Sequence, residues 1–143
     1  MPLPDVLDAC RCHDIAVCAY SPLAEGFLSG KYVRDEQGNT IVPEGSRGAM
    51  VDEYGSFPSR WWSVLDEVTS AADETGATPA QVAVRWVMDT PGLTAIPIVG
   101  ATSPAQLGET LAAADVTLTA EQLGRITDAG EPRELTPNAY TYS

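Results

Sequence analysis

Apolar positions along the chain change period several times, and each change marks an element. Leu3, Val6, Leu7 and Cys10 recur at the spacing of one helix face, so a helix is expected over about residues 3–13, with Pro2 or Pro4 suited to its first turn. The run IAVCAY, Ile15 to Tyr20, is continuously apolar and rich in small and β-branched residues. That is the composition of a parallel strand covered on both faces. Pro22, Gly26 and Gly30 then break the pattern in SPLAEGFLSGKY. From about Val33 to Ser59 no period is sustained, and Gly38, Gly45, Gly48, Gly55, Pro43 and Pro58 punctuate a long loop. Loops of that length in a compact domain are lids, binding loops or linkers.

Helical periodicity returns in SRWWSVLDEVTSAADETG, where Leu65, Val68 and Ala72 share a face and Gly76 stands at the C-terminal left-handed position. Thr78, Pro79 and Gln81 then read as a capping-box start for a helix whose buried stripe is expected at Val82, Trp86 and Val87. LTAIPIV, Leu93 to Val99, is the second strand, and its interior Pro97 cannot pair fully on the amide side. Ser103, Pro104 and Gln106 repeat the capping formula, and Thr119 with Gln122 begins a last helix. The tail from Glu131 reads as irregular. Strands alternating with helices imply a parallel sheet with right-handed crossovers, yet two strands alone do not make a self-sufficient sheet.

Composition narrows the classes. The 143 residues fit one domain. Twenty acids against eight bases give a formal charge of −12, a field that repels nucleic acid. Lys31, the single lysine, lies near Arg34 and Arg47 in an otherwise acidic chain. Cys10, Cys12 and Cys18 lack metal-ligand spacing and read as reduced, packing thiols, which with the early charges Asp5, Asp8, Arg11 and Asp14 suggests a cytoplasmic protein without a signal peptide or membrane insertion. No metal site is expected.

Two stretches carry candidate chemistry. AIPIVGATSPAQLGET passes from the second strand through Gly100 into the helix starting at Ser103, which suits a phosphate at a helix N-terminus or an ordinary well-capped turn. The first strand ends in Tyr20, Ser21, Pro22 and Leu23, followed by Gly26, Ser29 and Lys31. Tyr20 can present a ring face for stacking, or be a core aromatic; Ser and Lys can grip phosphate oxygens, or Lys31 can be a solvated charge. Ligands of open αβ sheets and barrels gather at the rim formed by the strands' C-terminal ends. His13, beside Asp14 at a helix end, reads as a C-terminal cap.

These segments resemble the aldo-keto reductases, in the group that includes potassium-channel β-subunits and bacterial relatives. AYSPLAEGFLSGKY is similar to the family's seventh-strand segment and DVLDACRCHDIAVCAYSPL to the passage from its sixth helix. WSVLDEVTSAADETGATPAQVAVRWVM resembles its seventh helical region, and IPIVGATSPAQLGETLAAADVTLTAEQL its eighth strand and following helices. The implied fold is α/β, the C-terminal part of a (βα)₈ TIM barrel, with two parallel strands and about five helices in one partial domain over residues 1–143. Its segments are 1–32 (helix, strand, pyrophosphate segment), 33–59 (a long cofactor-covering loop), 60–130 (helices and last strand) and a tail at 131–143.

The resemblance implies NADPH, with Tyr20 against the nicotinamide and Ser21, Pro22, Leu23, Gly26, Ser29 and Lys31 along the pyrophosphate. Arg47 is implied at the adenosine phosphate, and Gly100, Thr102, Gln106, Glu109 and Thr110 around the adenine end. Thr102 stands where the family carries Arg, and Thr110 where it carries Asn. The family's catalytic acid and its partners belong to earlier barrel elements, so no catalytic residue is assigned in this chain. The implied activity is reduction of aldehydes or ketones to alcohols, inactive without the missing half; the alternative is a non-catalytic nucleotide-binding or regulatory module. Association with itself or with a complementary barrel half is expected.

Overall fold

The computed structural model describes residues 4–44 and 57–130. Helix α1 (Pro4–Cys12) leads to strand β1 (Val17–Tyr20) and a 3₁₀ segment (Ala24–Ser29). Strands β2 (Val33–Arg34) and β3 (Thr40–Ile41) form a small antiparallel hairpin. Helices α2 (Ser59–Thr75) and α3 (Pro79–Met88), strand β4 (Ala95–Ile98), helix α4 (Pro104–Leu111), a 3₁₀ turn (Ala112–Asp115) and helix α5 (Ala120–Gly130) follow. The hairpin falls within the stretch expected to be a loop. Asp35 organises its turn by accepting hydrogen bonds from the Asn39 side chain and from the backbone of Gln37 and Asn39.

β1 and β4 pair in parallel, Val17 opposite Ala95 through Tyr20 opposite Ile98. Their C-terminal ends therefore open on one rim. Val17, Ala19, Ala95 and Pro97 are half-buried, whereas Cys18, Tyr20, Ile96 and Ile98 are exposed. The expectation that β1 is covered on both faces fails among the described residues, because the helices pack on one side only. Nor are all three cysteines packing thiols: they are free, but Cys12 and Cys18 are exposed.

The helices make the main core. Val68, Ala71 and Ala72 of α2 meet Val82 and Ala83 of α3 and Leu118 and Ile126 around α5. Small residues on α2 and α3 allow close approach, so α3 buries Ala80, Ala83 and Val84 beside Val82, while Trp86 and Val87 stay half-buried. The Thr78 cap forms as expected, with reciprocal hydrogen bonds between Thr78 and Gln81. Thr119 and Gln122 form the same reciprocal pair at the start of α5. Gly76 closes α2 at φ 70°, a left-handed conformation that glycine adopts without Cβ strain. No helix among the described residues is long and apolar enough to cross a membrane.

A polar clip joins α2 to α5. Arg125 Nη2 donates to Glu74 at 2.8 Å, and Gln122 Nε2 donates to its other oxygen at 2.7 Å. The Arg125 hydrogen bond first, then that of Gln122, holds the Glu74 carboxyl below the ordinary carboxylate range. A depressed folded-state pKa contributes stability that is present above about pH 5 and fades as pH falls through the carboxylate range. Glu74→Gln should therefore show a smaller loss of urea midpoint between neutral pH and pH 3 than the parent chain; equal losses would remove Glu74 from the acid sensitivity.

Candidate functional site

The rim at the ends of β1 and β4 is built first by β1. Tyr20, its last residue, is 87% exposed although it is aromatic. Alternation along β1 carries its ring to the uncovered sheet face, beside Ile98. The reading of Tyr20 as a core aromatic is thereby excluded, and the ring face stands free for stacking.

After Tyr20 the backbone turns sharply. Ser21, Ala24 and Glu25 adopt φ of 54°, 47° and 57°, and Gly26 adopts 93°. Left-handed non-glycine residues cost about 1 kcal/mol or more each, so neighbouring structure must hold the turn. Phe27, 1% exposed, supplies the anchor. Its ring lies 4.3 Å from that of Phe57 and 5.0 Å from that of Trp62, centroid to centroid. Leu23 and Leu28 pack on the helical core. Ser21 Oγ accepts from the Glu25 amide, and Ser29 Oγ donates to the Gly26 carbonyl. Pro22 is half-buried.

A Cβ on Gly26 would lie 2.9 Å from Lys31 Nζ. The glycine thus lets the ammonium fold back against the turn. Lys31 is exposed and has no ion-pair partner among the described residues. By contrast, Arg34 pairs with Asp66 and covers the Trp62 ring, and Arg85 pairs with Asp89. The Lys31 ammonium lies over the Tyr32 ring, 5.2 Å from its centroid, so a cation without a carboxylate partner coincides with the strained turn.

The second half of the rim follows β4. Gly100 is exposed, with open space where a Cβ would lie. Ser103 caps α4 by accepting from the Gln106 amide. The expected box differs in its second half: Gln106 Oε1 accepts from the amide and hydroxyl of Thr102, not from Ser103. Glu109 is exposed and its backbone carbonyl accepts from Gln81. Thr110 is buried, and its hydroxyl donates to the Gln106 carbonyl, so it faces the helix. Arg47 lies outside the described residues. A shallow groove along α2 is lined by Tyr32, Arg34, Trp62, Asp66 and Asp73; none of the rim residues nominated for a dinucleotide lines it.

Residues 3–131 match the aldo/keto reductase family profile. The chain belongs to the aldo/keto reductase family. An uncharacterized oxidoreductase of Mycobacterium tuberculosis is 38% identical over 128 residues, covering 89% of this chain and 37% of that protein. A protein named "Probable voltage-gated potassium channel subunit beta" of Arabidopsis thaliana is 33% identical over 137 residues, covering 90% and 39%. The structure of the glycerol dehydrogenase from Gluconobacter oxydans superposes with a TM-score of 0.68 at 27% identity, over 92% of this chain and 40% of that one. This aldo/keto reductase chain therefore spans less than two fifths of the length of those curated relatives. Its two parallel strands and their helices match part of the family's TIM barrel.

Sequence reasoning found the rim but missed the parts that hold it. Phe27 and the left-handed pair Ala24 and Glu25 were not singled out. The glycine-bearing AEGF segment marks a turn, but only the packing shows which aromatic anchors it.

Proposed function

We propose that this chain is the dinucleotide-binding portion of an aldo/keto reductase, an oxidoreductase that reduces aldehydes or ketones to alcohols. The exposed Tyr20 ring at the end of β1, next to a strained turn backed by Lys31, carries this reading. These features fit a nicotinamide dinucleotide: a flat aromatic platform for the nicotinamide, and backbone, hydroxyl and ammonium donors for the pyrophosphate. NADPH is the form the resemblance carries. When bound, a reduced nicotinamide supplies hydride; the chain's residues hold and orient it. No residue of this chain is assigned the proton donor that carbonyl reduction needs.

The exposed apolar face of Cys18, Ile96 and Ile98 supports association with itself or with the complementary part of a barrel. The similarity to a protein named as a channel β-subunit favours a second reading, a nucleotide-responsive regulatory module. Both readings require dinucleotide binding and differ in turnover. Titration with a reduced dinucleotide should quench emission from Trp61, Trp62 and Trp86 by energy transfer to the nicotinamide. No saturable quenching up to millimolar nucleotide would count against both. Reduction of a generic aldehyde by the purified chain alone would contradict the absence of an acid.

A further inference from the structure

We infer that the adenosine end of this seat selects the unphosphorylated dinucleotide, NADH, over NADPH, against the form the resemblance carries; the inference rests on the proposed dinucleotide site. A 2′-phosphate adds close to two negative charges and needs cations or several free donors. Among the described residues, the β4–α4 corner offers few cations. From Trp86 to Gly124 the sequence contains no lysine, arginine or histidine. The flanking cations are committed elsewhere: Arg85 holds Asp89 with two contacts of 2.7 Å and donates to the Ala114 carbonyl, and Arg125 holds Glu74.

Part of the donor capacity at the helix front is also committed internally. The amide and hydroxyl of Thr102 both donate to Gln106 Oε1, at 2.9 and 2.8 Å. The Gln106 amide donates to Ser103 Oγ, the Leu107 amide to the Ser103 carbonyl, and Pro104 has no N–H. What remains toward solvent suits hydroxyls. Gln106 Nε2 has no partner among the described residues, and Glu109, three residues on and exposed, adds a carboxylate on the same side of α4. A carboxylate accepts hydrogen bonds from a ribose diol and repels a phosphate in its place, the acidic-versus-arginine distinction that separates NAD from NADP sites in other dinucleotide folds.

The test is titration of the full chain with NADH and, separately, with NADPH, read by tryptophan quenching. NADH should bind at least ten-fold more tightly, and Thr102→Arg should reverse or close that gap by tightening NADPH binding. NADPH binding as tight as or tighter than NADH overturns the inference while leaving the dinucleotide site intact; Arg47→Ala in that case shows whether the 33–59 segment supplies the cation. Binding of neither nucleotide overturns the underlying site, and the inference with it.

Discussion

Tyr20→Ala is expected to weaken dinucleotide binding by roughly 5- to 150-fold, the equivalent of about 1–3 kcal/mol for loss of an aromatic stacking platform. Thermal stability should barely change. The ring is 87% exposed and belongs to neither buried cluster, and substitutions at such surface positions usually stay within about 0.5 kcal/mol. The combination separates a ligand contact from a structural role. Quenching titrations and melting curves on the same preparations check it. Unchanged affinity would remove Tyr20 from the site, whereas a large drop in Tm would show that its ring supports the fold.

Phe27→Ala should have the opposite profile, destabilising first. Phe27 is 1% exposed and touches Tyr32, Phe57, Trp61 and Trp62. Removing such a ring costs about 3–5 kcal/mol, through lost burial and the cavity left behind. That is a large fraction of a total stability of about 5–15 kcal/mol. Tyr32 and Phe57 flank the long loop at either end, with ring centroids 5.1 Å apart. The same substitution therefore also slackens the base of that loop and the turn behind Lys31. Urea denaturation should show a much lower midpoint, and a loss under about 1 kcal/mol would contradict the anchor. Phe27→Leu should retain part of the stability and separate lost packing from lost ligand contact.

Capping chemistry was the most legible layer of the sequence. Thr78 with Gln81, Thr119 with Gln122, and Gly76 depend on a few neighbouring atoms, and all three formed as read. The two parallel strands were legible from their apolar runs. What covers each face was not, because that depends on elements distant in the chain: IAVCAY and LTAIPIV are apolar enough for two covered faces, yet Cys18, Tyr20, Ile96 and Ile98 are exposed. Cys18, expected to be a packing thiol, is exposed for the same reason.

The candidate site divides in the same way. Residue types at the rim were readable, but their commitments were not. Ser103, Pro104 and Gln106 predict a phosphate seat as well as they predict a cap. Only the bonds from Thr102 to Gln106 show how much of the helix's donor capacity is already used. Thr110 belongs to the same pattern, and its hydroxyl is buried and bonded to the Gln106 carbonyl, which the residue type alone does not show. The Ala24–Glu25 turn had no local signature beyond Gly26, because two ordinary residues are held left-handed by the anchoring of Phe27.

Amide chemical-shift mapping of the full chain with NADH tests most directly whether two strand ends form one seat. Shifts should saturate together along Tyr20–Lys31 and Gly100–Glu109, leaving the α2 groove around Asp66 and Asp73 unchanged. Perturbation confined to that groove, or to one of the two rim segments alone, would contradict it.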